Sequence, residues 1–528
     1  MSSHRFAVFD IEAPTGWDRF GFACSLTSNG EAQTHQTLDG LQQWVEAYDG
    51  RVWAHNGGLY DFSFLRGKDE VLLAGARVLR AKLGRARLCD SYPLFQMSLK
   101  KAGKAVGLEK LEVDASRLSE LTFAEQEEYC QRDCAVLVEA LQAHRVFCEG
   151  VPARRVAWPG TSGATAVYCA EAWEGDTARH LSRHPLGFEE HVRHAETVAG
   201  GRCELWHLGP VAGPIYIYDV KSSYPSRYLE GPMPVGPWRH VGHEVHGAPG
   251  ATYRVRFRQP TDRLPLLHSG GTFVHRGEGW ATSEELTAAR VELGADVEVL
   301  EGYVPGRCLD FGRAFVAELY RLKEAGSPFA KVCINSLHGK LGQGLLSAVE
   351  RRTPHGYVRD EELTLPQWFQ RPLLEGALLA RARLALWRAM DALRRVGARV
   401  YYTDTDSCHT DATPAEFSRV ATIGLAPGHW ELKDTASEAC YLAPKTYAYR
   451  RVDGTEFVAS KGFPPKALSL KLLKAAWDSP LEVDAIEGLE GFRTRGDNPA
   501  QAKAHRRTLS AHPGTGKRRE GSNVWYEV

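Results

Sequence analysis

The eleven cysteines include no Cys-x-x-Cys pair; they stand singly from Cys24 to Cys440. That pattern argues against a structural zinc site and suits reduced thiols in a cytosolic compartment. No apolar run approaches the roughly 20 residues needed to span a bilayer. The opening residues, MSSHRFAVFDIE, lead straight into a strand pattern and leave no room for a signal peptide. The expectation is a soluble intracellular protein with no membrane partner. There is no internal repeat and no low-complexity tract. Net charge is also missing, since Lys+Arg and Asp+Glu both number 65. A zero sum says nothing for or against nucleic acid, because affinity follows local basic surfaces.

What is present is length and apolar content. A chain of 528 residues, 43% hydrophobic, can bury several cores, so three or more subdomains are expected. Residues 5–11 read as a buried strand ending on acids, and 52–55 as a second short strand. Thr122 to Glu125 forms a capping box that opens a long helix towards Cys148. Residues 214–220, PIYIYDV, read as another strand ending on an acid. Residues 231–280 are rich in Pro and Gly and read as an irregular β-rich insertion. A helical hairpin follows, broken at Gly326, with Ser327 and Pro328 fitting the start of its second helix. Residues 344–371 interrupt the pattern again. Residues 375–396 form an amphipathic helix, and 399–402 a strand leading into Asp404. The tail, 493–519, holds eight Lys/Arg against one acid, Asp497.

Two sets of carboxylates stand out. In the first, Asp10 and Glu12 lie two residues apart on a strand and therefore on one face. Asp61 ends the segment WAHNGGLYDF. Tyr129 and Asp133 are at i and i+4, one helix face. Four carboxylates on three elements can hold two Mg²⁺ ions, an arrangement suited to phosphodiester hydrolysis. Tyr129 is placed to orient a water.

In the second set, Asp219 ends a strand and is followed by Ser222 and Tyr224. Asp404 and Asp406 sit in YYTDTDS at a strand turn. Acids at adjacent strand ends can bind two Mg²⁺ around a triphosphate. Lys331, Asn335 and His338 share one face of the second hairpin helix at i, i+4 and i+7. A lysine there can reach triphosphate oxygens.

The order and spacing of these segments resemble family B DNA polymerases. Asp10-Ile-Glu12, the segment ending at Asp61 and Tyr129-Cys-Gln-Arg-Asp133 resemble the three exonuclease motifs of that family's RNase H-like proofreading domain. Ser98-Leu99-Lys100-Lys101 resembles its motif for single-stranded primer ends. The Asp219, Lys331 and Asp404 segments resemble polymerase motifs A, B and C in order, and Pro444-Lys445-Thr446-Tyr447 resembles the Lys-x-Tyr motif. The compact length, with inserts between A and B and between B and C, resembles the small protein-primed polymerases of phages and linear plasmids.

The resemblance implies an α/β and α+β multidomain fold. A 3′→5′ exonuclease domain (1–155) would be followed by a right-hand palm, fingers and thumb. The parts would be 156–230, linker and first palm segment; 231–303, an insertion like terminal-protein region 1; and 304–342, the fingers hairpin. Then come 343–372, an insertion like terminal-protein region 2; 373–480, the second palm segment; and 481–528, the thumb. It implies a DNA-directed DNA polymerase with proofreading, processive and strand-displacing, holding two Mg²⁺ per site with Mn²⁺ able to substitute. Its partners would be primer-template DNA and dNTPs, with a terminal protein if priming uses one. The molecule would be a monomer in the cytoplasm, the host's if phage-encoded.

Residue by residue, Asp219, Asp404 and Asp406 would be the polymerase metal and catalytic acids. Asp10, Glu12, Asp61 and Asp133, with Tyr129, would serve the exonuclease. Tyr224 would be the gate against a ribose 2′-OH. Ser222, Lys331, Asn335, His338 and Lys323 would contact the nucleotide. Asn56, Ser98, Leu99, Gly200, Gly201, Arg383, Lys445 and Tyr447 would contact DNA.

The chain departs from the family pattern at several points. The linker Tyr-x-Gly-Gly reads Val198-Ala-Gly200-Gly201, and His338 stands where tyrosine is usual. One residue more than usual separates Asn56 from Asp61, so Gly57 or Gly58 is expected to bulge out. Priming from a protein hydroxyl and from a DNA 3′-OH both stay open. So do two rival functions, a nuclease with a decayed polymerase half and a non-catalytic DNA-binding replication protein; primer extension with dNTPs separates them.

Tyr224 carries the first prediction. Tyr224→Val is expected to raise ribonucleotide incorporation more than it lowers dNTP use. An unchanged ratio of rNTP to dNTP efficiency removes Tyr224 from the gate.

Overall fold

A computed structural model describes residues 5–13, 19–74, 77–150, 159–353, 356–363, 366–367, 369–461, 463, 467–487 and 503–511. Two large sheets organise it. The first has nine strands. Its centre is Phe6–Glu12, parallel to Gly50–Ala54, which is parallel to Ala86–Asp90. These three are near-continuous apolar runs, as strands covered on both faces must be. Phe22–Thr27 and Ala32–His35 extend one side, and Arg77–Leu83 and Asp69–Ala74 the other, all antiparallel. The helix Phe123–Gly150 covers one face; Cys130, Cys134, Val136, Leu137 and Leu141 are buried there against Phe6, Val8 and Trp53. Thr122 and Glu125 form its capping box as expected, with Thr122 N–H donating to Glu125 Oε2 at 2.8 Å.

The last two strands of that sheet come from far along the chain. Leu346–Thr353 pairs antiparallel with Asp69–Ala74 through Ala348 opposite Leu73, and Gly356–Leu363 completes the hairpin. The insertion expected as an interruption therefore extends the first sheet. His355 and Trp368 of this insertion lie outside the described residues. Arg371, at its end, is 3% exposed and donates to the Leu181 carbonyl oxygen. Pro372 opens the next helix at its first turn, where a missing N–H costs nothing.

The second sheet has seven antiparallel strands in the order Glu456–Ala459, Thr446–Arg451, Trp430–Ala443, Gly209–Val220, Ser407–Thr410, Val400–Asp404 and Cys203–Leu205. Helix Pro372–Arg395 packs against it, burying Leu386, Trp387, Met390 and Leu393. Trp387 Nε1 donates to the Leu264 carbonyl at 3.0 Å, which satisfies its polar atom in the core. Residues 231–303 form a four-stranded antiparallel sheet of Trp238–Val241, Asp296–Pro305, Thr252–Arg258 and Arg276–Thr282. The helical hairpin is Arg313–Glu324 and Pro328–Leu341, against helix Ser162–Arg183. Near the C-terminus, Leu481–Glu487 pairs with Lys503–Leu509. Most of the basic tail lies outside the described residues.

Neither Gly57 nor Gly58 bulges out. A Cβ on Gly57 would lie 2.9 Å from the Phe62 ring, and one on Gly58 would collide with the Val78 carbonyl and lie 2.8 Å from Asp90 Oδ2. The extra residue is absorbed by Asn56, at φ +64, and by the Val78 N–H bond to Gly58 O at 3.0 Å. Gly58→Ala is therefore expected to cost about 3 kcal/mol, the upper end of ordinary overpacking. The measurement is the urea midpoint of the first unfolding transition, which should fall; an unmoved midpoint shows that the Val78 strand yields freely.

Candidate active sites

The first site forms at one end of the first sheet's central strand. Asp10 and Glu12 project from that strand, and their carboxylate oxygens lie with Cys130 Sγ within 4.8 Å of one another. Asp61 opens the short helix Asp61–Phe64, and its Oδ1 accepts the Ile11 N–H at 3.1 Å. Asp133 and Tyr129 reach in from the long helix. Asp133 is buried, and its Oδ1 has no hydrogen-bond partner among the described residues.

Burial, then Glu12 beside it, holds the Asp10 carboxyl far above the ordinary range. Burial, then Asp10, does the same to Asp61. Glu12 is pushed up to about 8 by burial and by Asp133. Carboxyls that hold protons this firmly form a site with a place for cations.

The residue that sequence reasoning missed is Lys110. Its ammonium pairs with Asp133, donates to Tyr129 Oη at 3.2 Å and stands 4.9 Å over the Tyr129 ring. No local pattern marks it, because it comes from a loop nineteen residues before Tyr129. A cleft of about 820 Å³ opens here, lined by Asn56, Ser98, Leu99, Lys110 and Tyr129 among others. The structure thus brings the expected single-strand residues to the first site. Ser98 caps helix Leu99–Val106, and Leu99 is buried beneath the cleft floor. Arg77, also lining the cleft, lies 4.7 Å over the Tyr92 ring and pairs with buried Asp90 at 2.5 Å.

The second site forms where three strands of the second sheet end together. Asp219 lies opposite Ser407, and Ser407 lies opposite Asp404. The turn between Asp404 and Ser407 is tight: Thr405 has φ +63, and Asp406 N–H donates to Asp404 O at 2.6 Å. Asp406 O in turn accepts the Val220 N–H at 2.8 Å, locking the turn to the Asp219 strand. Burial, followed by Asp219 and Asp404, pushes Asp406 up to about 7. Burial pushes Asp219 to about 6 against the pull of Lys433, 3.9 Å away.

Around these acids the expected residues assemble. Lys445 Nζ is 3.0 Å from Asp404 Oδ2, and the Tyr447 ring lies 4.7 Å from the ring of Tyr402. Ser222, at φ +51, leads into helix Ser223–Leu229, which carries Tyr224. The Tyr224 ring lies 4.3 Å from His338, whose Nδ1 meets buried Glu375 at 3.3 Å. Gly201 is close: a Cβ there would lie 2.9 Å from Tyr224 Oη and 2.8 Å from Thr405 Oγ1. Gly200 faces open space.

Lys331 and Asn335 are exposed on the hairpin helix. Burial, then Lys331 and Lys221, lowers the Lys323 ammonium. Three lysines held this close leave an attraction for an anion. Lys221 was not singled out in the sequence, although it lies inside the Asp219–Tyr224 segment.

Arg383 departs from the expected DNA contact. It is 3% exposed, its Nε donates to Glu285 Oε1 at 3.0 Å, and its Nη1 donates to the Ala199 and Gly200 carbonyl oxygens.

Raised carboxyl pKa values give a stability prediction. Stability is lost as pH rises from the ordinary carboxylate range through the folded values, about 6 for Asp219, 7 for Asp406 and 8 for Glu12. A divalent cation binds the ionised form and offsets that loss. Saturating Mg²⁺ should therefore raise the melting temperature more around pH 8 than around pH 6. An equal shift at both pH values would mean these acids are not the cation sites.

Known proteins resemble the chain in both sequence and fold. Residues 109–348 match the family described as DNA polymerase type B, organellar and viral. The DNA-directed DNA polymerase of Enterobacteria phage PRD1 is 25% identical over 511 residues, covering 87% of this chain and 85% of the phage protein. A probable DNA polymerase of Podospora anserina is 22% identical over 56% of this chain and 30% of its own length. Phi29 DNA polymerase with primer-template DNA superposes with a TM-score of 0.78 at 17% identity, over 96% of this chain and all of that one. Its ternary complex with incoming nucleotide gives the same score over 97% of this chain.

Proposed function

We propose that the chain is a family B DNA polymerase that copies a DNA template from dNTPs at the second site and removes 3′-terminal nucleotides at the first. The observation that carries this reading is the pairing of two separate carboxylate centres, each with its own basic and aromatic surroundings. Under it the first sheet is the exonuclease, the second the palm and the helical hairpin the fingers. The paired strands near the C-terminus belong to the thumb.

Divalent cations, Mg²⁺ with Mn²⁺ as substitute, would be held by Asp219, Asp404 and Asp406 and by Asp10, Glu12, Asp61 and Asp133. When bound, they activate the attacking oxygen and neutralise the leaving group. The donor chemistry fits: all are carboxylates, burial and then neighbouring acids push Asp406 up to about 7, and Asp133 Oδ1 lacks a partner among the described residues.

The chain's own groups do the rest. Lys221, Lys323 and Lys331 would receive the triphosphate, and Tyr224 would fill the space of a 2′-OH. His338, held by Glu375 and beside Tyr224, and Asn335 would bound the nascent pair. Lys445 and Tyr447 would hold the primer beside Asp404. In the first site Asn56, Ser98 and Leu99 would seat the single strand, and Lys110 would fix Tyr129 and Asp133.

The finer reading is a protein-primed, strand-displacing enzyme. Residues 231–303 would meet a terminal protein, and the hairpin 346–363 would part the downstream duplex. Replacing 346–369 with a Gly/Ser linker should spare gap filling and stop extension through duplex; equal extension on both templates removes the hairpin from displacement.

The two centres should be separable. Asp406→Asn is expected to abolish primer extension and leave single-strand degradation. Asp10→Ala with Glu12→Ala should do the reverse, and Lys110→Met should slow degradation alone. A folded variant that loses both activities together contradicts two independent centres.

A further inference from the structure

Two buried arginines tie the insertion 231–303 to the turn that carries Asp404 and Asp406. The first is Arg383, on helix Pro372–Arg395. Its Nε is 3.0 Å and its Nη2 2.8 Å from Glu285 Oε1. Glu285 belongs to the insertion and is 1% exposed. Its other oxygen, Oε2, caps its own helix by accepting the Thr282 N–H at 3.0 Å. One carboxylate thus closes a capping box and anchors a guanidinium. Arg383 Nη1 spends its remaining donors on the Ala199 and Gly200 carbonyls, the latter at 3.1 Å.

The second is Arg202, also 1% exposed. Its Nε donates to Glu204 at 2.6 Å, and its Nη1 to the Pro265 carbonyl, again in the insertion, at 2.8 Å. Its guanidinium stands 4.1 Å over the Phe273 ring of the same insertion.

Between the Gly200 carbonyl that Arg383 holds and Arg202 itself stands only Gly201, a position with little backbone preference of its own. Arg202 O accepts the Thr405 N–H at 2.6 Å, at the apex of the catalytic turn. Gly201 has no room for a Cβ between Thr405 Oγ1 and Tyr224 Oη. The glycine linker therefore touches the catalytic turn and the sugar gate together, while the insertion fixes it from behind at both ends.

We propose that Arg383 and Arg202 are positioning residues for nucleotide addition, through which the insertion 231–303 sets the placement of the Asp404–Thr405–Asp406 turn and of the Tyr224 hydroxyl. The inference rests on the polymerase reading of the second site. Both arginines are enclosed by protein, 3% and 1% exposed, and spend their bonds on protein groups. Their effect passes through the main chain of Ala199–Arg202, and a shift of about 1 Å at a reacting centre can cost on the order of 100-fold in rate.

The test uses the full chain. Arg383→Met removes the clamp, Arg383→Lys keeps charge without the fork, and Glu285→Gln keeps a capping side chain while neutralising the anchor. Single-nucleotide insertion, rNTP/dNTP selectivity and single-strand degradation are measured on each. Arg383→Met is expected to lower the insertion kcat by roughly 10–100-fold with little change in KM, to relax rNTP exclusion and to leave degradation intact. Arg383→Lys should fall between, and Glu285→Gln should shift kcat and selectivity in the same direction. Adding Glu285→Gln to Arg383→Met should change little further, since both break one contact.

Unchanged kcat and selectivity in Arg383→Met overturn the proposal. So does a loss shared equally by both activities, which marks a merely structural arginine. Should Arg383→Met fail to fold, Glu285→Gln decides by the same two readouts. A wild-type chain that extends no primer would instead overturn the polymerase reading itself.

Discussion

Burial of carboxylates beside one another is the constraint that shapes this molecule. At each site, acids that would ionise freely in water are gathered at strand ends and held well above their ordinary pKa, Glu12 at about 8 and Asp406 at about 7. Each unit of such a shift is about 1.4 kcal/mol of preference for the protonated form. A chain that accepts that penalty needs rigid surroundings, or the acids would simply swing apart. Sheets supply the rigidity. Period-two alternation puts Asp10 and Glu12 on one side of a largely buried strand, and strand register sets Asp219 and Asp404 on either side of Ser407.

The backbone carries its own share of the strain. Thr405 and Ser222, neither of them glycine, sit at positive φ beside the acids they follow. Such conformations persist where surrounding bonds over-determine them. Thr405 is held by its N–H to Arg202 O, and Asp406 by bonds to Asp404 O and from Val220 N–H. Cationic side chains offset part of the repulsion: Lys110 at the first site, Lys433 and Lys445 at the second. They neutralise one edge of each cluster and leave the other acids facing a space where a cation is favoured.

This division explains what could be read from the sequence. The acids were legible because each is set by local geometry: two residues along a strand, four along a helix, three across a turn. Lys331, Asn335 and His338 were legible for the same reason, sharing one helix face, whereas Tyr224 was placed only by the family resemblance. Lys110 was not, because its role depends on a loop folding back to a helix nineteen residues on. The burial of Arg383 was not foreseen because helix periodicity gives a face but not the partner opposite. That partner, Glu285, is 98 residues away. Gly57 or Gly58 was expected to bulge because spacing alone cannot foresee that Val78 would bond to the Gly58 carbonyl.

The same logic applies to the hairpin 346–363. Its sequence reads as an interruption between two helices of the catalytic half, yet it ends as the edge of the other half's sheet, paired with Asp69–Ala74. Without it, that strand would present an open row of N–H and C=O groups to solvent, the arrangement sheets ordinarily avoid. The first sheet therefore takes part of its edge from chain lying between the helix of Lys331 and the helix of Arg383. The helical hairpin and the first sheet are linked through that covalent path, in addition to the packing of Phe329 against Phe95 and His144 at the foot of the long helix. The two halves are thus joined at two places, and the first sheet loses two of its nine strands when the chain 346–363 is cut away.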